Sequence, residues 1–230
     1  MLKHVLFDFD GTIANSEEVC FQLIQTLAAK HGYRVISRPE LATLKVLSYP
    51  ERLQYLGVPM YRVPFLAMEA RRHYRMLQDD LMPFPGLRDA LQRLRERGCK
   101  LHVLSSNAVD NIRHFLRRHD LDVFETVSCE RSFFGKHVGL RRFLRTYGLA
   151  ESEIVYVADE IRDVDACRKI GVHVVSAGWG FDLVDRLEAA NPGMVALDAG
   201  QAVDLIETLT VAPVPDLAPV LTTVDIALAR

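Results

Sequence analysis

The sequence predicts an α/β fold: a doubly wound parallel sheet, interrupted after its first strand by an all-helical module. Three observations carry this. From about Leu87 onward, short apolar runs alternate with amphipathic stretches, the pattern of strands joined by helices in a parallel sheet covered on both faces. Between about residues 15 and 83 that alternation is missing and the periodicity stays helical. The opening run Val5-Leu6-Phe7 is apolar throughout, which fits a fully buried strand, yet it ends in Asp8 and Asp10 before Gly11. Ionised groups at the end of a buried strand are costly unless a cation or hydrogen-bond donors meet them.

Taken in order, Ser16 is an N-cap residue, with Glu17 and Glu18 in the first helical turn. Val19, Phe21, Leu23, Ile24 and Leu27 fall mainly on one helical face, and His31-Gly32-Tyr33 is the stop. From Pro39 to about Leu77 the pattern remains helical, with breaks at Tyr49-Pro50, Gly57, Pro59 and Pro64. Pro83-Phe84-Pro85-Gly86 is a stiff return. Leu87, Leu91 and Leu94 then mark a helix ending at Gly98, Lys100 to Leu104 a strand, and Asn111, Ile112, Phe115 and Leu116 a helix. Phe124 to Cys129 is a strand, Leu140, Phe143 and Leu144 lie on a helix, and Ile154 to Ala158 is a strand followed by a helix to Ile170. Val172 to Ser176 is a strand, and Val195-Ala196-Leu197 is a candidate for one more. The division expected is a core of residues 1–14 and 84–210, a helical module of 15–83, and an extension of 211–230 rich in Pro, Ala and Val. Ligands of such sheets bind outside the carboxyl ends of the strands.

Composition narrows the function. With 49% hydrophobic and 25% charged residues and a net charge of -2, the chain reads as an ordinary folded protein without the basic surplus of a nucleic-acid binder. Cys20, Cys99, Cys129 and Cys167 form no metal-ligand spacing and read as buried thiols of a reducing compartment, and no H-E-x-x-H is present. No apolar run is long enough to span a bilayer, and the first residues enter a strand without a signal-like segment. The expectation is a cytoplasmic protein without membrane or nucleic-acid partners; a homodimer is as compatible with the sequence as a monomer.

Four clusters then fall at strand ends in chain order. The first is Asp8, Asp10, Gly11 and Thr12; a calcium loop is the competing reading, but the spacing to Gly and the missing closing Glu do not fit one. The second is Ser105-Ser106-Asn107, a hydroxyl and helix-start amides suited to phosphate oxygens, or simply caps for the next helix. The third is Phe134-Gly135-Lys136: a lysine entering a helix is unfavourable beside the helix dipole unless an anion sits there, the alternative being a solvated surface lysine. The fourth is Asp159 and, one turn later, Asp163, which can face one cation or can act as cap and first-turn acid. Their conjunction at one sheet edge is the argument; each alone is weak.

With these residues in view, the chain resembles the haloacid dehalogenase-like hydrolase superfamily over about residues 1–210. Asp8-Phe9-Asp10-Gly11-Thr12 is similar to its nucleophile motif, and Ser105, Lys136 and Asp159/Asp163 match its later motifs in order. The helical module resembles its C1-type cap on a Rossmann-like core, and Trp179-Gly180-Phe181 resembles the phosphoglycolate phosphatase-like branch, with Ala158 where that branch usually has Gly. The resemblance implies a Mg2+-dependent phosphatase acting on a small phosphorylated metabolite through an aspartyl-phosphate. Asp8 would be nucleophile and Asp10 general acid and base. Asp8, Asp10 and Asp159 would hold the metal, Asp163 its outer shell, and Ser105 and Lys136 would stabilise the transferring group. Gly11, Thr12, Ser106 and Asn107 would bind phosphate, while Asn15 and Ser16 at the hinge and Lys45 in the cap would meet substrate. Arg52 is a looser candidate, and Arg71, Arg72 and Arg75 fit a surface face. Asp10 points away from carbon–halogen cleavage. A β-phosphoglucomutase-like phosphomutase of the same fold is the alternative, and a receiver-like phosphoacceptor domain a more distant one.

Overall fold

The computed structural model describes residues 3–130 and 135–209. Phe134 of the third cluster and the extension from Val211 lie outside them. Six strands form one parallel sheet: β1 (His4–Phe7), β2 (Lys100–Ser105), β3 (Thr126–Cys129), β4 (Ile154–Ala158), β5 (His173–Ala177) and β6 (Val195–Ala196), in the spatial order β3-β2-β1-β4-β5-β6. The order reverses beside β1, whose Phe7 lies level with Val103 on β2 and Val157 on β4. Parallel pairing points every strand the same way, so the residues after β1, β2 and β4 emerge at one edge, at the switch point where open sheets bind ligands.

Side chains of the strands alternate between two cores, as a two-residue period requires. Val5, Phe7, Val103 and Val157 join one, against Leu87, Leu91 and Leu94 of α5 (Leu87–Glu96), Phe115 of α6 (Val109–Arg118) and Val203 of α10 (Ala199–Thr208). Leu6, Leu104 and Tyr156 join the other, against Leu140, Phe143 and Leu144 of α7 (Lys136–Tyr147) and Val164 of α8 (Ile161–Arg168). A continuous apolar run in β1 is the consequence of this two-sided burial.

Between β1 and α5 the chain forms α1 (Glu17–His31), α2 (Leu41–Val46), α3 (Tyr49–Leu56) and α4 (Val63–Leu77), whose small core is Ile36, Leu41, Leu44 and Leu56. Its two connections run side by side: Ala14 bridges Pro83, and the Asn15 amide donates to the Met82 carbonyl at 2.9 Å. Five sequence expectations need adjustment. Pro50 and Pro64 open helices α3 and α4 instead of breaking them, since a missing N–H costs nothing in the first turn. Strand β3 begins at Thr126, two residues later than expected. Helices α9 (Val184–Ala190) and α10 were not anticipated. Ser16 precedes α1 without a side-chain capping bond, and of the four thiols Cys167 is buried while Cys20, Cys99 and Cys129 are half-buried.

Inside the second core, His102 is 2% exposed, its Nε2 2.9 Å from His4 Nδ1 and its Nδ1 2.9 Å from Thr126 Oγ1. Burial, aided by His4 and Lys100, lowers its pKa from 6.5 to about 4. Between those values the unfolded chain binds the proton that the folded chain refuses, so stability falls as pH drops through this window. Urea unfolding should therefore show a smaller loss of stability between pH 7 and about pH 4.5 in His102→Gln than in the parent. Equal losses would remove His102 as a source of the acid sensitivity.

Candidate active site

Asp8 follows β1 directly, and its amide donates to the Val157 carbonyl at 2.9 Å, extending the β1–β4 ladder by one bond. Its Oδ1 accepts from the Phe9 amide at 2.7 Å, and Lys136 Nζ lies 2.5 Å from its Oδ2. Lys136 is the first residue of α7, with an 11% exposed side chain, and its Nζ also meets Asp163. It is not the solvated surface lysine of the competing reading. Burial alone would lower its pKa, but the Asp163 and Asp8 charges outweigh that and hold the ammonium above its ordinary value.

Asp159 follows β4, also at this edge. Its Oδ1 accepts from Thr12 Oγ1 at 3.0 Å and its Oδ2 from the Phe181 amide at 2.8 Å. It does not cap α8: Asp182 does so instead, its Oδ2 accepting from the Ile161 amide at 2.8 Å. Gly11 and Gly180 make room for this carboxylate. A Cβ on Gly11, whose φ is +75°, would come within 2.0 Å of Asp159 Oδ2, and one on Gly180 within 2.1 Å of Asp159 Cβ. Burial first, then Glu160 and Asp8, push the Asp159 pKa well above the usual carboxylate range. Asp163, in the first turn of α8, is fully buried and pairs with the Lys136 ammonium. Burial raises its pKa to about 7 against the pull of Lys136.

Asp10 is tied to both halves of the molecule. Its Oδ1 accepts from Tyr74 Oη of α4 at 2.6 Å, and its Oδ2 from Asn107 Nδ2 at 3.0 Å. Asn107 is itself fixed: its Oδ1 accepts from the Ala108 amide at 2.8 Å and from Asn111 Nδ2 at 3.0 Å. Burial raises the Asp10 pKa to about 6, with the Tyr74, Asn107 and Ser16 hydrogen bonds opposing and the Asp8 charge assisting. Ser105 is buried at the tip of β2, its Oγ accepting from the Asn107 amide at 3.2 Å.

A cavity of about 400 Å³ opens at these tips. Asp8, Asp10, Gly11, Asn15, Ser16, Ser105, Ser106, Asn107 and Asp159 all line it, so the sequence candidates are brought together. Thr12 and Asp163 lie just behind, and Lys136 faces the adjoining cleft with Ser106 and Arg162. Lys45 stands outside the lining, its Nζ 2.5 Å from Glu17 and 5.5 Å from the centre of the Phe181 ring. Arg52, the looser candidate, does line it, donating to Glu160 at 2.8 Å and to Asp182. Arg71 also lines it, its Nε donating to the Ser106 carbonyl at 2.7 Å; Arg72 and Arg75 are exposed, so the surface reading holds for those two only. Sequence reasoning missed Tyr74, Asn111 and Asp182, and Trp179-Gly180-Phe181 entered it through resemblance alone. Trp179 Nε1 in fact donates to the Thr12 carbonyl at 3.1 Å, so that triplet braces the first motif.

Among the described residues no three acidic, histidine or cysteine side chains meet at one point. The oxygen donors available to a cation at the strand tips are the carboxylates of Asp8 and Asp159 with backbone carbonyls, and Asp163 behind them. Asp8, Asp159 and Asp163 set three buried carboxylates around one buried ammonium, a site short of positive charge, which a hard divalent ion fits.

Buried acids, a lysine and a hydroxyl thus stand together at the switch point of a parallel sheet. Residues 5–177 match the family of haloacid dehalogenase-like hydrolases, and the chain belongs to it. It is 31% identical to a phosphoglycolate phosphatase of Synechococcus elongatus, over 83% of this chain and 91% of that one. It is 26% identical to a 5'-nucleotidase of Pseudomonas aeruginosa, over 89% and 96%. A crystal structure of a predicted phosphatase from Clostridium acetobutylicum superposes with a TM-score of 0.76 at 17% identity, covering 90% of this chain and 99% of that one. The chain is thus an enzyme of the phosphatase side of the family. No helix among the described residues is long and apolar enough to cross a membrane.

The glycine contacts make a direct prediction. Gly180→Ala forces Asp159 away from Gly11 and Thr12, and displacement on the ångström scale costs about a hundredfold in turnover. Phosphate release from a generic ester by the folded variant measures this; turnover within twofold of the parent would show that Asp159 need not be seated there.

Proposed function

We propose that the protein hydrolyses the phosphate monoester of a small metabolite, with Mg2+ bound at the strand tips and an aspartyl-phosphate formed on Asp8. The observation that carries this is the pairing of two unlike carboxylates at the end of β1. Asp8 is held by the Phe9 amide and an ammonium, as an ionised nucleophile should be. Asp10, two residues on, has its pKa raised to about 6, as suits a group that must both give and take a proton near neutrality.

In the first step an Asp8 oxygen attacks phosphorus, the ester P–O bond breaks, and Asp10 donates its proton to the departing oxygen, releasing the alcohol. In the second, Asp10 as carboxylate takes a proton from a water that attacks the same phosphorus, freeing phosphate and restoring Asp8. Lys136 and Ser105, with the amide of Ser106, offer positive charge and donors to the transferring oxygens, and the Asn107 amide holds the Ser105 hydroxyl in place. Asn107 and Tyr74 hold Asp10 turned toward the cavity. Mg2+, held by Asp8, the Asp10 carbonyl and Asp159 with Asp163 behind, would supply charge neutralisation between nucleophile and phosphate dianion.

In this reading residues 1–14 and 84–210 act as the catalytic core and 15–83 as a cap. The Asn15–Met82 and Ala14–Pro83 contacts form the paired hinge. Lys45 enters through Glu17, which it holds at the cavity wall.

Phosphate release from a generic aryl phosphate is expected to require Mg2+ and to stop on chelation. Asp8→Asn should lower turnover roughly a thousandfold or more. Parent-like turnover in that variant would overturn Asp8 as nucleophile, and full activity in chelator would overturn the metal.

A further inference from the structure

We infer that the alcohol half of the substrate is apolar and uncharged, and that it runs from the strand tips into a compartment inside the helical insertion. This rests on the phosphatase reading above and names its substrate class. Beyond the cavity at the tips lies a second one of about 200 Å³. Ile24, Tyr49, Leu53, Leu56, Ala67 and Ala70 line both, so nothing thicker than these side chains separates them. The remaining wall of the second cavity comes from residues such as Leu27, Val63 and Leu66, and none of the described residues lining it is charged. Its walls are apolar and partly reached by solvent, so a hydrocarbon occupant that covers them is what it favours.

The cations in and beside the outer cavity point the same way. A substrate with a second anion, such as a carboxylate, needs a cation at its far end. Arg52, 11% exposed, is committed to Glu160 and Asp182 and lies 4.6 Å from the centre of the Phe181 ring. Arg162 pairs with Glu160 and lies over Tyr49, and Lys45 pairs with Glu17. Arg71 donates to the Ser106 carbonyl, at the phosphate end. A second anion entering the compartment would lose its hydration against apolar walls, whereas each methylene placed there leaves water.

Calorimetric binding of ethyl-, butyl-, hexyl- and octylphosphonate, with phosphonoacetate as the doubly anionic probe, tests this on the full chain with Mg2+. Affinity should rise about threefold or more per methylene until the compartment is filled. Hexylphosphonate should bind at least tenfold tighter than ethylphosphonate and tighter than phosphonoacetate. Ala67→Phe should flatten the series. A flat series in the parent chain, or phosphonoacetate binding tightest, would overturn the inference whatever the variant does; a variant that keeps the full gain would overturn the route through the insertion. Phosphonates are not turned over, so the aryl phosphate assay judges the phosphatase reading separately.

Discussion

A buried ammonium shared by two buried carboxylates is the interaction on which the rest of the site depends. The sheet order sets β1 beside β4, and so concentrates Asp8, Asp10, Asp159 and Asp163 within a few residues of two neighbouring strand tips. Without compensation such a group would not stay ionised, because burial penalises each charge and every neighbour raises the penalty. Lys136 compensates Asp8 and Asp163, while Thr12 and the Phe181 amide serve Asp159, and Tyr74 and Asn107 serve Asp10. The compensation is incomplete: Asp159 is met by neutral donors only, Asp163 shares its ammonium with Asp8, and burial leaves both with raised pKa values. Removing Lys136 from this arrangement would leave two buried charges facing each other, a far larger loss than that of a surface ion pair.

The insertion is bound into the same electrostatic system. Helix α4 sends Tyr74 to Asp10 and Arg71 to the carbonyl of Ser106, and Asn111 on α6 answers by donating to the Arg71 carbonyl at 3.2 Å. Helix α3 sends Arg52 to Glu160 and Asp182, the residues flanking Asp159 and capping α8. These ties from the insertion thus end on Asp10 or on residues next to the strand tips. A rearrangement of the insertion would therefore be felt by Asp10 and Asp159 as altered hydrogen bonding.

What was legible in the sequence follows from how local the physics is. The strand-end acids could be read because a fully apolar run ending in carboxylates is abnormal without a partner, and Val5 to Asp10 states that conflict within six residues. Strands β4 and β5 were legible for the same reason, being buried on both faces. Helices α9 and α10 were not, because Gly, Asn and Pro around them resemble a loop and their apolar faces make sense only against partners distant in the chain, α5 and β5 for α10 and α8 for α9. Pro50 and Pro64 misled because a proline that opens a helix looks, in sequence, like one that ends it. Arg71 and Tyr74 lie one turn apart on an otherwise ordinary amphipathic helix, and nothing local says that this face meets the strand tips. Asp182 could not be paired with Ile161 across 21 residues without the loop that carries it.

The borrowed cap of α8 explains why the site is built from two segments and not one. Had Asp159 capped its own helix, as a lone acid before a helix ordinarily does, its oxygens would have been spent on the first amides of α8. Asp182 takes that duty, and the backbone of Phe181 in the same loop turns Asp159 toward Gly11. The loop after β5 thereby leaves the Asp159 carboxylate facing the strand tips and, through Phe181, joins the core of the insertion. Polarity consequently falls from the strand tips, with their amides, acids and ammonium, toward the apolar inner cavity of the insertion, while Arg52 and Lys45 over the Phe181 ring stay paired with carboxylates. An ester with a charged head and an apolar body matches that gradient, since each end leaves water only where the protein replaces what water supplied.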